Sequence, residues 1–176
     1  GFRKHLLKSL GGFRLDLDTD GRELAMADGR RLGRITLRRD PAHEPPIEQL
    51  GFDPYLQMPA LETFARELRA RAGNVKSVLL NQRFVAGIGN WIADEVLYQA
   101  GIDPRRSADA LTAVEARRLR KCLVGIVRKA VAVDARKDRF PRTWLFHRRW
   151  GKPAAASTAR GEPVEFLTIA GRTTAW

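Results

Sequence analysis

The spacing of apolar residues changes near Pro59, and this change constrains the fold of the chain more than any other feature. In residues 13–17, apolar and polar residues alternate, which indicates a β-strand with one buried face. In residues 61–68, apolar residues recur every three or four positions, which indicates an amphipathic helix. Strands followed by a run of helices are typical of the α+β class, and we therefore expect an α+β protein.

Residues 1–40 are predicted to form short antiparallel strands. The turn signals are "DTDG" at 18–21 and the Asp-Gly pair of "ADGRR" at 27–31, and a further apolar segment follows at 32–37. Three short strands do not bury both faces of a sheet. We therefore expect these strands to be the end of a larger sheet that begins upstream.

The remainder of the chain divides into three predicted segments. Four prolines in residues 41–58 predict a linker without regular structure. Residues 59–139 are predicted to be a helical domain, and residues 140–176 return to turns and strands. The helices are expected near 61–73, 75–81, 91–101 and 112–134, the last with Val114, Leu119, Leu123, Ile126, Val127 and Ala130 inside, and a strand is expected at 164–169.

The segment "FVAGIGN" places Gly87 and Gly89 directly before a patterned helix. Asn90 is predicted to cap this helix, and Asp94 and Glu95 to complement the helix dipole in its first turns. A helix N-terminus with nearby glycines is an anion site, because free backbone amides point at the ligand and no Cβ blocks it. A plain corner between helices, in which glycine only supplies a positive φ, is the alternative.

The charge of the chain points to a polyanionic partner. Lysine and arginine total 32 against 20 acidic residues, for a net charge of +12. Such a surplus favours nucleic acid, with a generic basic surface as the alternative. No segment combines a basic face with a broad apolar face and interfacial aromatics, so no membrane partner is expected. The single cysteine, Cys122, excludes a cysteine zinc site and lies in an apolar helical pattern. We expect no metal and no cofactor.

Four stretches carry a specific resemblance. They are "NQRFVAGIGNWIADEVLYQAGIDP" (81–104), "DGRRLGR" (28–34), "FPRTWLFHRRWGK" (140–152) and "AGRTTAW" (170–176). They resemble the formamidopyrimidine-DNA glycosylase/endonuclease VIII family of base-excision repair enzymes, in its plant-type branch. The resemblance implies the end of an N-terminal β-sandwich, a helix–two-turn–helix domain and a C-terminal β-hairpin finger that lacks zinc.

The resemblance also implies DNA-binding roles for individual residues. Gly87, Gly89 and Asn90 match the clamp on the phosphates that flank the lesion. Lys76 matches a lysine implicated in lesion handling, and Arg172 matches the finger arginine that grips the backbone near the flipped nucleotide.

A second group of residues matches the family's intercalation loop. Arg30 and Arg31 match a pair of which one faces the orphaned base and the other a phosphate. Leu32 stands where the family has a phenylalanine wedge that fills the base stack. A strand residue packed in the sandwich is the alternative interpretation of Leu32.

The catalytic residues of the family match no residue of this chain. In the family, an N-terminal proline amine forms a Schiff base with the damaged nucleotide, and glutamate follows as acid and base. Here the chain begins Gly1-Phe2. We therefore expect a fragment whose nucleophile lies upstream of Gly1 and which is inactive alone.

The expected function of the parent protein is base-excision repair. It would be a bifunctional DNA glycosylase/AP lyase that removes oxidised bases, acts as a monomer, and binds double-stranded DNA containing oxidised bases or abasic sites. We expect it in the cytoplasm or nucleoid of a bacterium or in the nucleus of a plant, and not secreted. The alternative is a non-catalytic helix–two-turn–helix module that binds nucleic acid.

Overall fold

A computed structural model describes residues 12–16, 23–27, 36–151 and 155–176 of the chain. The chain divides into two compact units, residues 1–44 and residues 45–176. In the first unit, strand β1 (Gly12–Asp16) pairs antiparallel with strand β2 (Glu23–Ala27). This confirms the first two expected strands. The third expected strand lies mostly outside the described residues, and residues 36–38 have no regular structure.

The second unit contains the four predicted helices, which are confirmed. A capping box between Thr112 and Glu115 starts the last helix, and Gly101 ends the third with φ 60°, as a left-handed cap. Val114 was predicted to be inside, but it is 68% exposed, because at about 100° per residue it lies on the same face as the exposed Arg117, away from Leu119. The helices are α1 (Leu61–Arg69), α2 (Val75–Leu80), α3 (Asn90–Ala100) and α4 (Ala113–Ala132).

The proline-rich segment is less irregular than expected. It contains two short 3₁₀ helices, Pro41–His43 and Ile47–Gln49. Its second half packs on the helices, since Phe52 contacts Phe64 and Phe84 edge to face. Gly51 is required there, because an added Cβ would overlap the Phe84 carbonyl group.

Helix α3 lies at the centre of the second unit. Val96 and Leu97 of α3 are completely buried, and so are Leu119 and Leu123 of the neighbouring helix α4. Cys122 of α4 is only partly buried, and that burial raises the pKa of its thiol. Among the described residues, no helix is long and apolar enough to cross a lipid bilayer.

The predicted C-terminal hairpin is confirmed. Strands β3 (Phe166–Ile169) and β4 (Arg172–Ala175) pair antiparallel, with Ile169 opposite Arg172. The two residues between the strands, Ala170 and Gly171, have φ of 50° and 68°, which is the geometry of a tight two-residue hairpin turn. Strand β4 packs against α3, and this contact brings the hairpin turn to the start of that helix.

Candidate nucleic-acid interface

The turn between α2 and α3 is held by one glutamine. Gln82 Oε1 accepts a hydrogen bond from the Gly87 amide at 2.8 Å, and Gln82 Nε2 donates to the Ile88 carbonyl at 3.0 Å. Gly87 has φ 77°, a conformation that other residues adopt only with strain. Ile88 points into the core with 2% exposed, whereas Gly87 and Gly89 are exposed. The turn therefore anchors one apolar side chain and presents its glycines to solvent.

The N-terminus of α3 is open to a ligand. The N-cap is Gly89 and not Asn90, which is the first residue of the helix; this corrects the predicted cap by one position. No described residue accepts a hydrogen bond from the Gly89 or Asn90 amide. An added Cβ at Gly89 would meet no atom within 4 Å. Free amides and an unobstructed approach together form the anion site expected at a helix N-terminus.

The C-terminal hairpin forms the opposite wall of this site. Asn90 Nδ2 donates a hydrogen bond of 2.7 Å to the Thr173 carbonyl group of β4. The exposed Arg172 then lines a groove of about 630 Å³ together with Gly87, Gly89 and Asn90. Three parts of the predicted site, the turn, the helix start and the finger arginine, thus share one groove.

Lys76 lies behind the groove and does not line it. Its ammonium nitrogen is 2.6 Å from Asp94 Oδ1, 2.6 Å from Thr174 Oγ1 and 3.3 Å from the Thr173 carbonyl oxygen. Lys76 has 0% of its surface exposed, and burial lowers its pKa although Asp94 opposes that shift. The expected direct contact of Lys76 with DNA is therefore corrected, because its donors are occupied by Asp94 and by the hairpin.

Asp94 is the centre of this buried cluster. Its Oδ2 accepts hydrogen bonds from Arg149 Nη2 at 2.8 Å and from the Ala175 amide at 3.1 Å. One carboxylate therefore pairs with two buried cations and also holds β4. The expectation that Asp94 complements the dipole of α3 is wrong, since the first turn of α3 contains no acidic residue.

Glu95 also has a partner outside its helix. It is 1% exposed and accepts a hydrogen bond of 2.8 Å from the Phe146 amide. Burial raises the pKa of the Glu95 carboxyl group, and hydrogen bonds from Gln99 and Phe146 oppose that shift. The two adjacent acids of α3 thus have different partners: Asp94 binds the buried cations and β4, and Glu95 binds the Phe146 amide.

An aromatic cavity lies on the other side of the α3 N-terminus. It measures about 830 Å³. Trp91, Phe140 and Phe146 form its aromatic wall, with ring centroids 5.0–5.2 Å apart. Lys137 and Arg142 contribute cations to its lining. Flat rings beside cations can stack a nucleobase.

The structure tests some of the predicted site residues and not others. Gly87, Gly89, Asn90 and Arg172 come together, as described above. Arg30, Arg31 and Leu32 lie outside the described residues. In the part of the chain that is described, no three His, Cys, Asp or Glu side chains are close enough to hold a metal ion.

Sequence reasoning missed several residues of the site. Gln82, Arg149 and Thr174 were not singled out, and Asp94 was assigned a different role. Gln82 stands inside the matched motif, so the motif itself was a signal for it. Nothing in the local sequence marks Arg149 or Thr174, since they lie 55 and 98 positions from their partners in the cluster.

Comparison with known families agrees with this geometry. Residues 50–141 match the family described as "Formamidopyrimidine-DNA glycosylase H2TH domain". The chain is 41% identical over 164 residues to formamidopyrimidine-DNA glycosylase of Arabidopsis thaliana. This match covers 93% of this chain and 42% of that protein. It is 35% identical to the enzyme of the same name from Thermus thermophilus, over 93% of this chain and 69% of that protein. The chain thus spans less than half of the plant relative.

Solved structures show the same similarity. The crystal structure of the MutM (Fpg) protein from Thermus thermophilus superposes with a TM-score of 0.71 at 36% identity, over 89% of this chain and 64% of that one. The complex between Lactococcus lactis Fpg and an abasic site containing DNA has a TM-score of 0.61 at 25% identity, over 73% of this chain and 50% of that one. The match over residues 50–141 and these relatives show that the chain belongs to the formamidopyrimidine-DNA glycosylase family.

Proposed function

We propose that this chain supplies the DNA-binding part of a base-excision repair enzyme, a bifunctional DNA glycosylase/AP lyase that removes oxidised bases. The observation that carries the proposal is the groove shared by the free amides of Gly89 and Asn90 and the side chain of Arg172. Its partner is double-stranded DNA with an oxidised base or an abasic site, bound by a monomer. The complex of Lactococcus lactis Fpg with abasic-site DNA supports the choice of partner.

The groove is suited to backbone phosphates. Amides at a helix N-terminus carry a partial positive charge and bind an anion without a charged side chain. Arg172 adds a guanidinium group, which binds phosphate through two parallel hydrogen bonds. Because neither group reads base edges, the groove positions the duplex without specifying its sequence.

The aromatic cavity is suited to an extruded base. Enzymes that act on a base in a duplex turn the nucleotide out of the stack and hold it between flat side chains. Trp91 lines this cavity, and its neighbour Asn90 lines the phosphate groove. A duplex held by its phosphates at Gly89 therefore brings a flipped nucleotide close to Trp91, which is partly exposed in this cavity.

No described residue of the groove replaces the amine nucleophile of the family. An amine that forms a Schiff base must reach C1′ of the nucleotide as a free base. The Lys76 amine is buried against Asp94 and the hairpin, so it cannot reach the ligand. The described residues of the groove therefore bind and orient DNA, and we do not expect any of them to act as the nucleophile.

The proposal is tested by binding and by trapping. Fluorescence anisotropy should show tighter binding to a duplex with an abasic-site analogue than to an undamaged duplex. If about four phosphates are contacted, the logarithm of the binding constant should fall with log[salt] at a slope of about −3.6. Equal binding to both duplexes would favour the non-catalytic module. Borohydride should trap no covalent adduct between abasic-site DNA and a described lysine, and an adduct that survives blocking of the N-terminal amine would show that an internal lysine is a nucleophile.

A further inference from the structure

Helix α4 turns a strongly basic face to solvent. At about 100° per residue, its five outward cations fall within an arc of about 120°. The opposite face is the apolar one, which includes the buried Leu119, Leu123 and Ile126. The five exposed cations are Arg117, Arg118, Lys121, Arg128 and Lys129.

This face lacks acidic partners. None of its five cations forms an ion pair with a described carboxylate, and the one acid of α4, Glu115, is paired with Arg106 at 2.9 Å. Like charges three or four positions apart on a helix repel one another, as Arg117 and Lys121 do. The repulsion does not contribute to folding, and a polyanion laid along the helix would relieve it.

Gly125 lies in the middle of the same face. It is exposed, and an added Cβ would meet no atom within 4 Å. Packing among the described residues therefore does not explain a glycine at a position where it weakens the helix. Because glycine has no side chain, the surface of the helix lies closer to its axis between Lys121 and Arg128. A partner can approach the backbone closely there and still contact the cations on either side.

The chain leads directly from the basic face to the lining of the aromatic cavity. Helix α4 ends at Ala132, and the segment that follows supplies Lys137 and Arg142 to the aromatic cavity. From Lys129 back to Arg117, the face runs about 18 Å at about 1.5 Å per residue. Because each strand of a duplex carries one phosphate per roughly 3.4 Å of its axis, this length corresponds to about five base pairs.

We propose that the outward face of α4 is a second contact surface for the DNA backbone and takes the phosphates of the duplex that flanks the nucleotide held at the groove. The inference rests on the proposed function, since the groove sets where the duplex lies. Nucleic acid is favoured over an acidic protein because the cations follow a regular line along α4, and the chain leads from that helix to the cations of the aromatic cavity.

The experiment compares two double variants of the 176-residue chain on three duplexes. Lys121→Gln/Arg128→Gln removes two cations from the face. Arg148→Gln/Arg160→Gln is the matched control, since it removes two exposed cations that line neither the groove, nor the aromatic cavity, nor the pocket between α1 and α4. One duplex extends about ten base pairs on each side of an abasic-site analogue, and the other two are cut to about three base pairs on one side or the other. Affinity and its salt dependence are measured by fluorescence anisotropy.

The α4 variant should bind the long duplex about eightfold more weakly per lost contact at about 0.1 M salt, with a salt slope shallower by about 1.8. The loss of affinity in the α4 variant should disappear on one of the two shortened duplexes. The control variant should keep the wild-type salt slope. Equal losses for both double variants, or a loss independent of duplex length, would overturn the inference. The inference would also be overturned if polyglutamate competed for the chain as strongly as DNA of equal total charge does. If Arg172→Ala still weakens DNA binding in those cases, the proposed function is retained and only the proposed α4 contact surface is rejected.

Discussion

The Lys76 ammonium nitrogen lies 2.6 Å from Asp94 Oδ1, and neither side chain has any exposed surface. Arg149 approaches the other oxygen of the same carboxylate at 2.8 Å. One anion thus stands between two buried cations, and the Ala175 amide also donates to it. This arrangement joins α2, α3 and β4 behind the groove, so the position of the hairpin depends on a charge that never meets solvent.

Removal of the Asp94 carboxylate should strongly destabilise the fold. In Asp94→Ala, two buried cations lose their counter-charge and the Ala175 amide loses its acceptor. We expect a loss of about 3–5 kcal/mol in the free energy of unfolding, the usual cost of breaking a buried ion pair from one side. Urea unfolding followed by circular dichroism measures it. The exposed Asp109→Ala is the control and should change stability by less than about 0.5 kcal/mol; a similar small change in Asp94→Ala would contradict the structural role.

Loss of the Arg172 guanidinium should weaken DNA binding without weakening the fold. Arg172 is exposed at the start of β4 and lines the groove. Arg172→Ala should cost about 1–3 kcal/mol of binding free energy, the scale of a charged hydrogen bond. The salt slope should also become shallower by about 0.9, for one lost phosphate. Anisotropy titrations at several salt concentrations test both. Arg160→Ala, also exposed, is the control, and an equal effect there would show that only net charge matters.

Substitution of Gly89 should separate helix stability from DNA binding. Its φ of −93° and ψ of 177° suit other residues, and asparagine or aspartate caps a helix slightly better than glycine, by a few tenths of a kcal/mol. Gly89→Asn and Gly89→Asp should therefore raise the melting temperature slightly. Both should weaken DNA binding, because the side chain fills the open side of the anion site, and aspartate should weaken it more. Unchanged binding in Gly89→Asp would exclude a phosphate at this helix start.

The capping box of α4 should make stability depend on pH. Hydrogen bonds from Thr112 and Arg106 lower the pKa of Glu115 from 4.5 to about 2. Because this pKa is depressed in the folded state, the contribution of Glu115 is complete above about pH 4.5 and is lost as the pH falls toward about 2. The difference in unfolding free energy between wild type and Glu115→Gln should therefore shrink over this window. Urea titrations across it provide the measurement. A constant difference for Glu115→Gln across this window would refute the assignment.

Replacement of Gly125 should stabilise the isolated chain. Nothing in the described structure occupies the space of its Cβ, and alanine is favoured over glycine inside a helix by about 1 kcal/mol. Gly125→Ala should raise the free energy of unfolding by about that amount, as measured in urea. A loss of stability instead would mean that the position is packed, and the argument for an exposed contact face would fail with it.

Sequence patterns predicted the features of this protein that depend on near neighbours. The helices α1 to α4 and the C-terminal hairpin were predicted correctly. Each depends on residues within a few positions, whose spacing and backbone preferences act locally. The motif around Gly87 also located the groove, since its turn and helix start are consecutive in the chain.

The polar residues of α3 could not be assigned in this way. Asp94 and Glu95 were predicted to complement the helix dipole, because acidic residues are favoured near the N-terminus of a helix. Their partners, Lys76, Arg149 and Phe146, lie outside α3 and contact it only in the folded chain. Burial then decides their role, since a buried charge requires a counter-charge and an exposed one does not.

Sequence alone thus determined the α+β class, the succession of helices and hairpin, and the basic character that points to nucleic acid. Only the tertiary structure decided that Asn90 holds the hairpin, that Lys76 lies behind the groove, and that Arg172 faces into it. The bonds responsible join residues 83 and 98 positions apart. Local periodicity carries no information at that separation, because the pairing depends on how α2, α3 and β4 pack around a shared core.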